Sequence, residues 1–191
     1  MDLVGTHGTT VSRYESIGSD GFKCRNSGLR GAGAYFWVKS AYAEELAVGW
    51  YLKCIKAGTF SKDPDKRCVV ITASFDVLPE QYLDIESDEV KSIFLNLIKQ
   101  HNAEDSRECS EKFYDLFIEL MEKELDVIIK LYKVRAYAPT KALPNCYPTQ
   151  LAGSPLCYVA RDSQCILING AKTLENVGVK NEKQREGKGS S

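Results

Sequence analysis

Two short stretches carry residues whose types and spacing could do chemistry: His7-Gly8-Thr9 and, further on, Gly31-Ala32-Gly33-Ala34-Tyr35-Phe36. An imidazole, a bare backbone and a hydroxyl set side by side suit a sugar or a primary amide. Imidazole donates to or accepts from a ribose hydroxyl, and a glycine peptide offers the N–H and C=O pair that matches a carboxamide. Gly8 has no side chain to block close approach, and Tyr35, delivered by a glycine-rich turn, offers a flat face to an aromatic ring. Taken singly, each stretch has a plainer meaning. His-Gly reads as an ordinary turn, and G-A-G-A lacks the full G-x-G-x-x-G spacing between a strand and a helix, so a Rossmann site fails. Their order and separation carry the information.

The elements that must position these residues follow from the pattern. Leu3 to Thr6 reads as a strand ending at His7, and Ser12 with Glu15 has capping-box spacing for a short helix from about Arg13 to Gly18. Gly21, Gly28, Gly31 and Gly33 punctuate a loop before an aromatic strand, Tyr35 to Val38. Ser40 is placed to cap a helix in which Ala43, Leu46, Ala47, Trp50, Tyr51 and Cys54 recur at three- and four-residue spacing, ended by Gly58. Cys68 to Phe75 is a β-branched strand, and Leu83 to Ile85 adds a short piece. Helices are expected from Asp88 to about Gln100 and from Ser110 to about Leu125, joined by the charged Ala103 to Glu108. Phe113, Leu116, Phe117, Leu120 and Met121 form the core stripe of the second, and ELMEKELD a solvated face. Val127 to Tyr137 has strand-like composition with helix as the alternative. Pro139, Pro144, Pro148 and Pro155 mark a loop, and Leu156 to Ala160 is a late strand. From Asn181 the chain is charged and glycine-rich, which predicts one domain over 1–180 and a disordered tail over 181–191.

Composition narrows the function classes. The 25 Lys and Arg residues nearly balance 26 Asp and Glu, so net charge steers neither to nucleic acid nor to an anionic membrane, although a local basic patch remains open. Seven cysteines, an odd number with no C-x-x-C pair and no signal peptide ahead of them, read as reduced thiols of a cytoplasmic protein with no metal site. His7 and His101 are the two histidines, too few for a histidine-rich metal centre. His101 sits at a helix end, where a cation suits the dipole. No apolar run is long enough to cross a bilayer, so a membrane partner is not expected.

The chain from about Val4 to Tyr42 resembles the ADP-ribosyltransferase superfamily, in its diphtheria-toxin and poly(ADP-ribose)-polymerase-like branch. That branch opens with an H-G-[ST] strand, continues through a short helix to a G-[FL] turn, and then shows G-x-G-x-Y-F. Here these are His7-Gly8-Thr9, Ile17 to Gly21-Phe22, and Gly31 to Phe36. The resemblance implies an α+β fold of split antiparallel β-sheets with flanking helices, and NAD as co-substrate. It assigns His7 to a hydroxyl of the adenosine ribose, the Gly8 backbone to the nicotinamide carboxamide and Tyr35 to the nicotinamide ring. Thr9 becomes a nearby polar contact, and Gly33 belongs to the turn that delivers Tyr35. Ser40 and Tyr42 correspond to a serine and second tyrosine that bracket nicotinamide, across a shorter loop than the family's.

The family's third element is a glutamate on a late strand, which supports a cationic, oxocarbenium-like transition state. Aligned on LCYVARD, that position falls on Cys157, and a neutral thiol does not stabilise positive charge as a carboxylate does. Gln150, Asp162 and Glu86 are the alternatives for the role, and a small core cysteine is the plain reading of Cys157. Arg30, Arg161 and Lys133 are candidates to contact a diphosphate. The resemblance implies an enzyme that cleaves the nicotinamide–ribose bond of NAD and transfers ADP-ribose to RNA, DNA or protein. It resembles in particular the small toxins of anti-phage toxin–antitoxin modules, with an antitoxin protein as partner. Two readings stand beside it: an RNA 2′-phosphotransferase of the same superfamily, drawing on Arg13, Arg25 and Arg30, and an inactive domain that holds NAD, ADP-ribose or a protein.

Overall fold

The computed structural model describes residues 2–24, 28–101, 107–140, 147–175 and 177, with backbone alone at 107–109. Along the chain it runs β1 (Val4–Thr10), α1 (Val11–Asp20), β2 (Ala34–Val38), α2 (Ala43–Lys56), β3 (Cys68–Phe75), β4 (Tyr82–Asp84), α3 (Asp88–Gln100), α4 (Arg107–Leu125), β5 (Leu131–Arg135), α5 (Thr149–Ala152), β6 (Leu156–Ala160) and β7 (Ile166–Leu174). The strands form one seven-stranded sheet in the order β4-β5-β6-β2-β1-β3-β7, antiparallel except for the β4–β5 pair. With helices on its faces, the fold is α+β.

The sheet is unevenly stitched. β1 pairs with β3 at every residue from Val4 to Thr10, whereas β1 and β2 share Gly5 with Val38 and Thr6 with Trp37. The expected pair of separate sheets is therefore a single hydrogen-bonded sheet whose halves, β4-β5-β6-β2 and β1-β3-β7, meet at a short seam. Alternation of side chains along the central strands sorts the core into three clusters. Phe36, Ile71, Ala73 and Phe75 pack beneath α1 and Phe22, while Trp37, Cys68 and Val70 take the opposite face with Leu46 and Tyr51 of α2. Tyr132, Val134 and Val159 carry Phe94 of α3 and Phe117 and Ile118 of α4.

Several expected boundaries shift for identifiable reasons. β1 does not end at His7 but continues to Thr10, because β3 supplies a partner for each residue. Thr10, not Ser12, caps α1: its hydroxyl accepts from Arg13 N, while Ser12 bonds Asp65. α2 has Tyr42 at its cap position with no side-chain cap bond, so Ser40 does not cap it. In α4 the buried line is Phe113, Tyr114, Phe117, Ile118 and Met121, and Leu116 and Leu120, expected inside, are exposed. Of the ambiguous Val127–Tyr137 stretch, Leu131–Arg135 is strand β5 and the flanking residues are neither strand nor helix. His101 caps α3, as its helix-end position suggested. No described helix is long and apolar enough to cross a membrane. The proposed tail at 181–191, and Arg25, lie outside the described residues.

Candidate functional site

β1 places His7 and Gly8 at the point where the seam opens. Lys39 N donates to Val4 O toward β2, and Phe75 N donates to Leu3 O toward β3, each at about 3 Å. Because peptide groups alternate sides along a strand, the N–H and C=O of Gly8 point toward β2. Continuing the register of Thr6 with Trp37 would make Gly8 and Tyr35 the next hydrogen-bonded pair. The ladder stops short of that pair, and His7 Nδ1 instead bonds the Tyr35 carbonyl at 2.8 Å. The Gly8 peptide is thus presented into the seam with its natural acceptor already taken.

The same bond fixes the chemistry of His7. A carbonyl oxygen only accepts, so Nδ1 carries the proton. Burial, with Phe22 edge-on at 5.5 Å and Phe36 at 5.4 Å, lowers the imidazole pKa; the Tyr35 carbonyl opposes that shift and the Arg13 charge adds to it. The ring is therefore neutral near pH 7, and Nε2 is a lone-pair acceptor, suited to receive a sugar hydroxyl. No described group bonds Nε2, and His7 as a whole is half-buried.

Gly8 has a second reason to be glycine. A Cβ built there would lie 2.6 Å from the Ala47 carbonyl carbon, and nearer still to its oxygen, so α2 rests directly on the β1 backbone. The face of Gly8 that a side chain would fill belongs to the helix, which leaves its peptide edge toward the seam. Thr6 ties the same helix down by donating from its hydroxyl to Ala43 O at 2.7 Å.

Tyr35 is half-buried. Its ring packs against both the α2 and the α4 clusters, and its hydroxyl donates to Gly31 O at 2.6 Å and accepts from Arg30 N at 3.0 Å. Burial lifts the phenol pKa well above the usual range, so it stays protonated and a donor. Two residues that sequence reasoning missed complete this turn. Tyr132 donates its hydroxyl to Arg30 O, and Asp115 accepts from Ala32 N at 2.7 Å. Gly31 lies at φ 89°, and a Cβ there would meet the Tyr132 hydroxyl at 2.7 Å and Asp115 Oδ1 at 2.8 Å. Gly33 fits against Ala160 O, where a Cβ would come within 2.9 Å. Both turn glycines are accounted for by backbone conformation and packing.

Cys157 lies opposite Trp37 on β6 and shares the sheet face of Tyr35. It is 1% exposed, its thiol donates to Tyr158 O at 3.3 Å, and burial pushes its pKa up to about 12. A thiol so placed is neutral and closed to solvent. Among the alternatives, Glu86 is engaged by Lys91 at 3.0 Å and Arg135 at 3.1 Å. Asp162 caps a short turn through Gln164 N and pairs with Lys130 at 3.3 Å, and Gln150 is exposed on α5. Asp162, Lys130, Arg161 and Glu122 border a depression of about 410 Å³ that Ala32 and Cys24 also line. Arg161 there is held by Glu122 at 2.6 Å, and Lys133 by Asp84.

The remaining expected contacts spread apart. Thr9 is 2% exposed, and Ser40 and Tyr42 sit at the head of α2, where Ser40 Oγ accepts from Tyr42 N and the Tyr42 ring meets Tyr147 at 5.6 Å. Arg13, which an RNA 2′-phosphotransferase would need, is bound to Asp63 at 2.8 Å. The structure brings together His7, the Gly8 peptide and the Tyr35 carbonyl; Cys157 and Thr9 are interior, and the Tyr35 ring is half-buried. No group of His, Cys, Asp and Glu among the described residues is arranged to hold a metal.

Fold and site together define an α+β domain whose sheet halves meet at a histidine–glycine seam. No known family model matches the chain, and no curated protein matches it. Among solved structures, a chain of the M. tuberculosis MbcT–MbcA toxin–antitoxin complex is similar at a TM-score of 0.46 and 10% identity, covering 91% of this chain and 85% of that one. At that TM-score and identity the likeness carries no functional weight.

Proposed function

We propose that the protein is an NAD-dependent ADP-ribosyltransferase. In this reading the Gly8 N–H and C=O hold the nicotinamide carboxamide, and His7 Nε2 accepts a hydroxyl of the adenosine ribose. The bond between nicotinamide nitrogen and ribose C1′ breaks, its electron pair leaves with nicotinamide, and a nucleophile on RNA, DNA or protein bonds C1′. The observation that carries the reading is the interrupted ladder at Gly8, whose partner carbonyl on Tyr35 is occupied by His7 Nδ1. A strand peptide left facing a seam beside an imidazole acceptor suits a carboxamide and a sugar hydroxyl, both of which NAD carries. With no carboxylate at Cys157, rate enhancement rests on positioning and on the acceptor nucleophile.

The wider role we propose is that of a toxin restrained by an antitoxin protein, in phage defence, acting in the cytoplasm. Incubation with NAD labelled in its adenylate half, with protein, RNA and DNA offered separately, tests the activity. Nicotinamide release with label on one acceptor is expected. No binding, no release and no transfer would end this reading.

A second reading is favoured by the sealed Cys157 thiol: a domain that binds NAD or ADP-ribose without turnover. It predicts saturable NAD binding with nicotinamide release no faster than in buffer.

A further inference from the structure

We propose that Arg30 is a phosphate-binding residue, held ready for a nucleotide phosphate by the glycine turn beside the seam. Of the arginines whose side chains are described, Arg13, Arg67, Arg135 and Arg161 each pair with a carboxylate, on Asp63, Asp65, Glu86 and Glu122. Arg30 pairs with none among the described residues. Its guanidinium lies 5.3 Å from the ring centroids of both Tyr114 and Tyr137, and its Nε donates to Arg135 O at 2.9 Å. The two Nη groups have no described acceptor.

The mount is rigid. The Arg30 N–H and C=O and the flanking Gly31 C=O and Ala32 N–H are bonded by Tyr35, Tyr132 and Asp115, from β2, β5 and α4. Tyr114 is 9% exposed and forms a fixed floor, while Tyr137 is 67% exposed and can stack on an incoming base. Among the described residues, the charges around the site are Arg30, Arg135 and Lys91 against Glu86 and Asp115, one more positive than negative. A planar guanidinium with free Nη donors matches two phosphate oxygens, and an exposed aromatic beside it suits a nucleobase. Arg161 and Lys133, the other expected phosphate contacts, are already paired.

Two sources share this chemistry: the diphosphate of NAD, which rests on the function proposed above, and the phosphodiester of a single-stranded polynucleotide, which stands without it. The full chain, with Arg30→Ala, Arg30→Lys and Tyr137→Ala, is titrated with ADP-ribose, NAD, single-stranded oligo-dT and oligo-U, and with phosphate-free adenosine as control. Arg30→Ala should weaken at least one phosphate-bearing probe by about tenfold or more, with adenosine unaffected. Arg30→Lys, which keeps the charge and lacks the planar fork, should recover only part. Loss confined to NAD and ADP-ribose assigns the site to the diphosphate; loss confined to the oligonucleotides assigns it to a polynucleotide. Melting curves confirm that each variant is folded. Failure of every phosphate probe to bind the wild type, or affinities within about twofold in Arg30→Ala, overturns the proposal. Nicotinamide release by the wild type is scored separately, so an Arg30-dependent oligonucleotide affinity without NAD turnover upholds this site and removes the transferase reading.

Discussion

Replacing Gly8 by alanine separates the two demands on that residue. The new Cβ would sit 2.6 Å from the Ala47 carbonyl carbon, and ordinary contact begins near 3.4 Å, so α2 must retreat by at least 0.8 Å (3.4 − 2.6). The Ala47 oxygen is closer and demands more. The obstacle is helix backbone, and Leu46, Ala47, Tyr51 and Cys54 of that helix are buried core, so the strain has no flexible side chain to absorb it. Overpacking of this kind costs about 1–3 kcal/mol, and a backbone clash belongs at the upper end, about 3 kcal/mol. For a chain of this length each kcal/mol moves Tm by about 2–4 °C, so Gly8→Ala should lower Tm by about 6–12 °C. Gly18→Ala is the matched control: a Cβ there meets nothing within 4 Å and the site lies within α1, so alanine should stabilise by about 0.5–1 kcal/mol. Calorimetric or circular-dichroism melting of both variants gives the answer. A Gly8→Ala protein that melts with the wild type would refute the packing of α2 on β1.

Further outcomes follow from the other groups at the seam. The depressed His7 pKa means that the unfolded chain takes up a proton first as pH falls, so stability is full above about pH 6.5 and declines below it. His7→Asn, which keeps a donor toward Tyr35 O, should flatten that decline in urea midpoints measured from pH 7.5 to 5.5; an unchanged slope contradicts the assignment. The Cys157 thiol should ignore a thiol reagent in the native state, so wild type and Cys157→Ser should show equal counts of reactive thiols. Cys157→Glu, which buries a carboxyl beside Trp37, should lower stability by about 3 kcal/mol or more, whereas a glutamate tolerated there would show that the face is open. Asp115→Ala should cost about 1.5–3 kcal/mol through the Ala32 amide, and Asp115→Asn, which retains an acceptor oxygen, should recover most of it in chemical unfolding.

What the sequence reveals depends on how far each residue's partners lie along the chain. β3 and β6 are legible because their apolar runs match their burial. β1 is not legible past His7, since Gly8 breaks any strand signal and only the register with β3 shows that the strand continues. β7 escapes notice for a related reason: it is an edge strand around Gly170 whose side chains are mostly exposed, with backbone pairing to β3 and no apolar alternation to announce it. At the site, the linear motifs found His7, Gly8 and the glycine turn. They did not find Asp115 and Tyr132, which reach the turn from far along the chain. The turn also engages the Tyr35 hydroxyl, which the linear motifs do not announce. Cys157 had two meanings in sequence; in the fold it is buried opposite Trp37, on the face of Tyr35.

The central claim is that the Gly8 peptide, beside a neutral His7, receives a carboxamide. Its most direct test is the amide resonance of Gly8 in a 15N-labelled chain titrated with NAD and with nicotinamide. Saturable movement of the Gly8 amide with both ligands, with the His7 ring still protonated at Nδ1 alone, is the result this account predicts. A Gly8 amide that stays fixed while either ligand binds elsewhere, or while neither binds, would contradict it.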